Sequence, residues 1–126
     1  MISLDSLVLS DASPIYQQIV LFLKRGMAAG TVLDGDELPS RRTVSALLGV
    51  NPNTIQKAYR ILEEEGLIVS HSGAKSFVQL GPGRREQVRD ELLGGDLQTV
   101  IRAMKQSGVS KEEALALLDR FWEVEP

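Results

Sequence analysis

Residues 38–68 read LPSRRTVSALLGVNPNTIQKAYRILEEEGLI, and this stretch decides the fold. It contains two helical patterns separated by a turn at Gly49. From Leu38 to Leu62 it has no acidic residue and four basic ones: Arg41, Arg42, Lys57 and Arg60. The whole chain has 14 Lys and Arg against 17 Asp and Glu, so this local absence of carboxylates departs from the overall composition. DNA is held mainly through Lys and Arg contacts to phosphate, and the stretch therefore predicts a helix-turn-helix with a surface for DNA.

The composition excludes several classes of protein. A length of 126 residues allows one domain, or one small domain with an appendage. No apolar stretch approaches the ~18–20 residues that a membrane span needs, and the N-terminus lacks the basic and apolar regions of a signal peptide. The chain has no cysteine and one histidine, His71, so a thiolate or His-based metal site is not expected. We therefore expect a cytoplasmic protein that is not an enzyme and that has no cofactor and no metal.

The overall charge is compatible with a protein that binds specific DNA sites. A formal net charge of −3 argues against a general coat protein for nucleic acids. It does not argue against a specific binder whose positive potential is confined to one face.

Start and stop signals predict three helices in the first half of the chain. The first is expected over residues 14–29, with Ser13 as its cap and a stop at Gly30. The second begins after Ser40 and ends at Gly49, and its expected buried positions are Val44, Leu47 and Leu48. The third has the strongest start signal, since Asn51 can cap it and Pro52 suits its first position; it continues to residue 65.

A hairpin is predicted after the third helix. Two β-like stretches, residues 67–70 and 76–80, are joined by five residues that include Gly73. Three helices followed by a hairpin is the order of a winged helix-turn-helix, and Gly81-Pro82-Gly83 marks its end. The predicted fold is mainly α with a small β-hairpin. Residues 1–80 form the winged helix-turn-helix, and residues 81–126 form a short all-α dimerisation tail.

The third helix carries two stripes at helical spacing. Ile55, Ala58, Tyr59 and Leu62 form the apolar one, and the polar one consists of Asn53, Gln56, Lys57 and Arg60. Amide side chains can bond adenine edges in the major groove, and Lys can reach guanine or phosphate. The alternative is an ordinary solvated face, but the missing carboxylates, the preceding short helix and the following hairpin all favour DNA readout.

The tail shows three further helical patterns. The first covers residues 82–93, the second follows a cap at Asp96, and the third opens with a capping box at Ser110. The apolar side chains predicted to form a dimer interface are Leu97, Val100, Ile101, Met104, Leu117, Leu118, Phe121 and Trp122. At about 45 residues the tail is near the lower limit for an independent core, so a partner surface is expected, and a second copy is the simplest partner. The alternative is that the tail folds back onto its own winged helix.

The chain resembles the DNA-binding domain of the GntR family of bacterial transcription regulators. The resemblance rests on PIYQQIV, GDELPSRRTVSALLGVNPNTIQKAYRILEEEGLI and SGAKSFV, between about Pro14 and Val78. NPNTIQKAYR and the short tail are similar to the YtrA-like subfamily. This implies a sequence-specific regulator, with a homodimeric repressor on an inverted-repeat operator as the expected form. It also allows a small-molecule effector, which would have to bind at a dimer crevice or between the tail and the winged helix.

The resemblance implies which residues contact DNA. Carried over by position, the family pattern puts contacts at Arg42 of the second helix and around the start of the third helix at Asn51, Asn53, Thr54, Gln56 and Lys57. The wing around Gly73 would reach the minor groove or its phosphates. Ser72 stands where an Arg is common and Lys75 replaces a second Gly, so a phosphate contact from Lys75 is expected instead of Arg insertion. Arg41 is either a second phosphate contact or a solvated side chain.

Two rival functions differ from DNA readout in testable ways. A winged helix can bind a protein partner without specific DNA binding, but the acid-free run disfavours this. A small enzyme would need a nucleophile, a phosphate loop or a paired-acid motif, and we find none of these in the sequence. Two smaller questions stay open at this stage. Arg84, Arg85 and Arg89 could contact phosphate, although a solvated face is the default expectation. One of the carboxylates of Glu63–Glu65 could meet a cation of a neighbouring helix.

Overall fold

The computed structural model describes residues 1–71 and 75–124. They form two compact units, Met1–Asp90 and Glu91–Pro126. The helices and strands are α1 (Ile15–Ala29), α2 (Arg41–Leu48), α3 (Pro52–Glu64), β1 (Ile68–Ser70), β2 (Ser76–Val78), α4 (Arg84–Gln106) and α5 (Lys111–Trp122). Three helices followed by a two-stranded antiparallel hairpin confirm the predicted winged helix-turn-helix. The first unit extends into α4, beyond the division at residue 80, which stays a prediction.

Two polar caps define the helix-turn-helix. The Ser40 hydroxyl accepts a hydrogen bond from the Thr43 N–H at the start of α2, as the sequence predicts. Asn51 caps α3 through the Asn53 N–H, and Pro52 occupies the first turn. Between the two helices, Gly49 has a φ of +68°, a left-handed conformation that a residue with a Cβ adopts only with strain. The turn is therefore specified by its local sequence.

The core of the first unit lies between α1 and α3. The apolar stripe of α3 is buried throughout, and α1 buries Ile19, Leu23 and Met27 against it. Val44 is the buried residue of α2. Leu47, which was expected inside, is half exposed, and Leu48 is only partly buried. The prediction for Leu47 was wrong because α2 has only eight residues and contacts the core around Val44. Its last turn, which contains Leu47, extends beyond the core.

The hairpin is bordered by the loop that precedes α2. Ile68 pairs with Val78 and Ser70 with Ser76 in the antiparallel register. On the other edge of β2, Leu38 donates its N–H to Ser76 and Val78 donates to Asp36. The N-terminal segment extends this layer, because the Ile2 N–H donates to the Glu37 carbonyl at 3.0 Å. The wing is thus anchored to the segment that enters the helix-turn-helix.

The start of α1 differs from the prediction. Pro14 is the N-cap, and Ser13 contributes no side-chain cap. Its carbonyl instead accepts a hydrogen bond from the Gln18 side chain at 2.7 Å, and the same side chain bonds to the backbone of Ser10 in both directions. An amide that reaches back across the segment replaces a hydroxyl cap.

Over residues 81–124, the tail contains two helices and not three. α4 runs without interruption through Gly94 and Gly95, so the expected cap at Asp96 does not begin a helix. Each Gly costs roughly 1 kcal/mol in a helix interior, whereas a break leaves up to four N–H and four C=O groups without intrahelical partners. The capping box of α5 is confirmed, with Ser110 and Glu113 exchanging hydrogen bonds of 3.2 Å. Over residues 1–71 and 75–124, the structure contains no helix with the length and apolarity required to span a bilayer.

Candidate nucleic-acid interface

The polar stripe of α3 faces solvent. Asn53, Gln56, Lys57 and Arg60 are exposed, while the apolar stripe on the opposite side is buried. This separation confirms the two-stripe pattern and leaves one continuous surface of amides and cations. Exposure is a requirement for contact with base edges, and the contacts themselves stay predictions.

The N-terminus of α3 combines capping with candidate phosphate contacts. The Asn51 Oδ1 accepts from the Asn53 N–H at 2.8 Å, so that oxygen is committed to the helix. The side-chain amide of Asn51 still has two N–H donors for a DNA contact. Thr54 is half-buried, and its N–H donates to the Asn51 carbonyl. With no acidic residue in its first turn, this helix end favours an anion through its dipole and its N–H groups.

The two adjacent arginines of α2 have different surroundings. Arg42 is exposed, whereas Arg41 is half-buried with its guanidinium 5.3 Å from the centre of the Tyr59 ring. The Arg41 Nε is buried and has no hydrogen-bond partner within residues 1–71 and 75–124. These surroundings favour Arg42 as the phosphate contact and a packing role for Arg41.

Tyr59 is a core residue of the helix-turn-helix. Its hydroxyl donates to the Pro39 carbonyl at 2.7 Å, which ties α3 to the entry of α2. Burial raises the pKa of the Tyr59 hydroxyl above its usual value, and the Arg41 cation lowers it in part. The group is therefore a neutral hydrogen-bond donor near pH 7, and it holds the two helices in register.

The two cations of α3 both have partners in the structure. The Lys57 Nζ lies 4.0 Å from the centre of the Tyr16 ring, which comes from α1. Arg60 faces Glu64 at 3.9 Å along the same helix. The second contact follows from i,i+4 spacing, but the first depends on how α1 crosses α3, and no local pattern encodes it.

The wing is described only in part. Lys75 is exposed, and its carbonyl accepts from the His71 N–H at 3.0 Å, which closes the hairpin. His71 contacts the Phe77 ring edge-on at 5.1 Å, so it packs along the hairpin. Gly73, the predicted tip of the wing, lies outside the described residues.

Cations brace the end of α3 that lies away from its capped start. Lys24 of α1 forms an ion pair with Glu65 at 2.6 Å, which answers the question of which carboxylate meets a neighbouring helix. Arg84 donates to the Glu65 carbonyl at 3.0 Å, and Arg85 donates to the Ala28 carbonyl near the end of α1 at 3.2 Å. Both arginines therefore bind helix C-termini, where cations are favoured. Their adjacency in sequence gave no sign of this role.

The second unit exposes the apolar residues that were predicted to form a dimer interface. α5 has no buried side chain, and Trp122 is 69% exposed. Met104 and Leu117 are half-buried. The other predicted interface residues are exposed: Leu97, Val100, Ile101, Leu118, Phe121 and Trp122.

A cavity of about 610 Å³ lies in the first unit, between the N-terminal segment and α1. Its wall includes Ile2, Phe22, Ala29 and Val32. Within residues 1–71 and 75–124, His, Asp and Glu form no cluster of three that could hold a metal ion.

Known proteins share this architecture and much of its sequence. The chain matches the gntR family of bacterial regulatory proteins over residues 15–78. It is 30% identical to the HTH-type transcriptional repressor YtrA of Bacillus subtilis over 113 residues, covering 90% of this chain and 82% of that protein. It is also similar to the structure of a GntR family transcriptional regulator from Listeria monocytogenes, with a TM-score of 0.83, 33% identity, and coverage of 89% of this chain and 98% of the other.

The similar structures include complexes of a regulator domain with its operator. The DNA-binding domain of AraR in complex with an operator has a TM-score of 0.50 and 28% identity, and it covers 57% of this chain and 92% of that domain. The match to the family model includes α1, the helix-turn-helix and both strands of the hairpin. The chain therefore belongs to the gntR family of bacterial regulatory proteins, is similar to YtrA beyond the family's DNA-binding domain, and is a DNA-binding transcription regulator.

Proposed function

We propose that the protein is a homodimeric transcription repressor that recognises an inverted-repeat operator through α3. The observation that carries the proposal is the exposed stripe of Asn53, Gln56, Lys57 and Arg60, opposite a fully buried apolar stripe. The stripe projects from a helix that two other helices and a capped turn hold in place. A helix presented in this way fits the major groove, where amide side chains distinguish adenine from other bases.

Different residues supply base readout and backbone contact. Asn53, Gln56 and Lys57 lie on the face that would meet base edges. Arg42, exposed at the start of α2, would contact phosphate, as would the N-terminus of α3 around Asn51 and Thr54. Lys75 would add a phosphate contact from the wing. Phosphate contacts fix orientation, whereas the base contacts fix sequence.

The tail supports dimerisation by its exposed apolar face. Contiguous apolar surface of this kind is rare on a soluble monomer and indicates an interaction surface. A second copy is the simplest occupant, because two-fold dimers are the commonest assembly. Two recognition helices would then read half-sites about 34 Å apart, and the operator would be an inverted repeat. Occupation of a promoter by such a dimer would block transcription in the bacterial cytoplasm.

A small-molecule effector is included in the proposal. The cavity beside α1 has a volume in the range of ligand pockets, and its wall is mainly apolar. It differs from the two locations considered from sequence, a dimer crevice or a site between tail and winged helix. Thermal-shift screening of metabolites, followed by DNA release assays with the positive compounds, tests this part of the proposal.

Selection of bound sites from random DNA tests the proposed function most directly. We expect an inverted repeat with half-sites one helical turn apart. On that operator, Gln56→Ala should weaken binding by about 1–3 kcal/mol and relax base preference, whereas Arg42→Ala should weaken all sequences more evenly. If Gln56→Ala leaves affinity and preference unchanged, the recognition face is misplaced.

Salt dependence separates DNA binding from the rival protein-binding function. A protein that makes 6–10 phosphate contacts loses roughly 10³–10⁵ in DNA affinity between 50 and 200 mM salt. The rival function is favoured if the protein binds every duplex weakly, shows no sequence preference, and has the same DNA affinity at both salt concentrations.

A further inference from the structure

We propose that Tyr16, on α1, is a positioning residue for DNA recognition, because its ring holds the Lys57 ammonium in place on α3 before DNA binds. The inference rests on the proposed function of α3. Tyr16 lies outside the helix-turn-helix, and none of the DNA contacts assigned above includes it. The observation is the distance of 4.0 Å between the Lys57 Nζ and the centre of the Tyr16 ring. This is well within the ~6 Å at which a cation is attracted to an aromatic face.

Tyr16 lies on a part of α1 that is tied to its surroundings on both sides. It is half-buried in the first turn of α1, and its hydroxyl accepts a hydrogen bond from the Gln17 side chain at 3.2 Å. Two residues further on, Gln18 ties the preceding segment to α1 through bonds to Ser10 and Ser13. One turn further along, Ile19 is fully buried in the core between α1 and α3. The ring therefore provides a fixed point beside a flexible lysine.

An aromatic ring suits this surface better than a carboxylate would. A Glu beside Lys57 would also order the ammonium, but it would place a negative charge next to phosphate. A ring attracts the cation through its quadrupole and leaves the net positive charge intact. Arg41 shows the same arrangement, since it lies over the Tyr59 ring. Two of the four cations in the acid-free run are therefore held by tyrosines, and the run keeps its charge.

Holding Lys57 has a direct consequence for recognition. A free lysine side chain loses up to ~2 kcal/mol of rotamer entropy when it is fixed in a contact. Tyr16 restricts the side chain in the free protein, so less freedom is lost on binding. It also directs the ammonium to the α1 side of the recognition helix. The Lys57 ammonium is then a hydrogen-bond donor in a fixed position, and its contribution to base preference depends on Tyr16.

A double-mutant cycle in the full-length chain tests the coupling. The variants are Tyr16→Leu, Tyr16→Phe, Lys57→Met and the pair Tyr16→Leu/Lys57→Met. Affinity is measured by fluorescence anisotropy on the duplex that the unmodified chain selects from random DNA, and on an unrelated duplex. Tyr16→Leu should weaken the selected site roughly 2- to 5-fold, the size of an exposed cation–π contact. Tyr16→Phe should bind the selected site within about 2-fold of the unmodified chain, since it keeps the ring and removes only the hydroxyl.

The decisive outcome is non-additivity. With Lys57→Met already present, Tyr16→Leu should have no further effect on affinity or on base preference. Lys75→Met is the matched control, because it removes a cation far along the sequence and should add independently to Tyr16→Leu. If Tyr16→Leu weakens binding equally with and without Lys57, or tightens it, the inference is overturned. The same holds if Tyr16→Phe is as harmful as Tyr16→Leu.

A spectroscopic measurement without DNA separates this inference from the proposed function. The Lys57 Hε protons should show an upfield ring-current shift in NMR spectra of the free protein. Tyr16→Leu should abolish that shift and Tyr16→Phe should keep it. Absence of the shift in the unmodified chain overturns the inference even if DNA binding is sequence-specific. If the shift is present but the chain selects no sequence, it is the proposed function that fails, and the recognition role of Tyr16 is overturned with it.

Discussion

The two units of this chain differ in whether their apolar helix faces are buried or exposed. In Met1–Asp90, the apolar stripes of α1 and α3 are buried against each other, and Leu23, Ile55 and Leu62 have no exposed surface. In Glu91–Pro126, α5 has no buried side chain, and its Leu118, Phe121 and Trp122 are at least half exposed. Both stripes have the same helical periodicity. The pattern of a helix therefore shows that a face will be covered, but not which surface covers it.

The difference has a physical consequence for how each unit is stabilised. Burial of apolar surface contributes about 25 cal/mol per Å², and the first unit obtains this within one chain. An isolated helix as short as α5, which has 12 residues, is marginal in water. If a second copy covers the tail, as proposed, the stability of the tail should depend on protein concentration.

The largest expected effect comes from a matched pair of leucines, one in each unit. Leu62→Ala should destabilise the first unit by roughly 2–5 kcal/mol, because it leaves a cavity in a closed core. Leu118→Ala, at a position 51% exposed, should cost far less at low protein concentration. Urea unfolding at two protein concentrations checks this, and the effect of Leu118→Ala should grow with concentration while that of Leu62→Ala stays constant. An equal, concentration-independent loss for both would show that the tail is covered by its own chain.

The next effect concerns the aromatic residues at the end of α5. Phe121→Ser/Trp122→Ser should raise the dissociation constant of the proposed dimer by at least about 30-fold, since truncating even one aromatic hot spot of an interface costs about 2 kcal/mol or more. Sedimentation velocity measures the assembly, and circular dichroism should show that the first unit still melts cooperatively. Leu21→Ser, at an exposed leucine of α1, is the control and should leave the dimer intact. A dimer unaffected by the double substitution would remove the tail from the interface.

Most signals that act within a few residues could be predicted from sequence, although Ser13 does not cap α1 and Asp96 does not begin a helix. Contacts that depend on packing could not be predicted. Ser40, Asn51 and the Ser110 capping box all act over two or three residues, and all three were predicted. The apolar stripe of α3 was also predicted, since its periodicity extends over the whole helix.

The failures have two causes: the energetic balance within a helix, and the packing of one element on another. The continuity of α4 through Gly94 and Gly95 reflects a balance between glycine cost and unsatisfied backbone groups that no local motif encodes. The contact of Tyr16 with Lys57 depends on the crossing of α1 and α3. The hydrogen bond of Arg84 also depends on packing, since its partner is a carbonyl 19 residues away. The candidate DNA-binding residues could be named from sequence and stay predictions, whereas the contacts that Tyr16 and Tyr59 make with cations of this surface could not be predicted.

A third prediction compares the same cap in the two units. Ser40→Ala and Ser110→Ala each remove a hydroxyl that accepts from an N–H three residues on, and each should cost about 1 kcal/mol. Ser40→Ala should lower the stability of the first unit and weaken DNA binding, because the cap orders the start of α2. Ser110→Ala should mainly weaken the dimer. Thermal melts and sedimentation velocity on both variants separate the effects, and the reverse assignment would contradict the division of roles.

The smallest predicted effect compares two neighbouring carboxylates at the end of α3. Glu65 is paired with Lys24 of another helix at 2.6 Å, whereas Glu64 faces Arg60 of its own helix at 3.9 Å and is 69% exposed. Glu65→Gln and Glu64→Gln both remove a negative charge from a helix C-terminus, where the macrodipole disfavours it. Both variants therefore gain the same stability from this effect.

The difference between these variants therefore isolates the ion pairs. Glu65→Gln should be less stable than Glu64→Gln by up to about 1 kcal/mol, since the pair with Lys24 is closer, less exposed and joins two helices. Denaturant unfolding at 50 mM and 1 M salt checks this, and the difference should shrink at high salt because surface ion pairs are screened. Equal stability of both variants at low salt would show that the helix ends are braced by the Arg84 and Arg85 contacts to carbonyls and not by charge pairing.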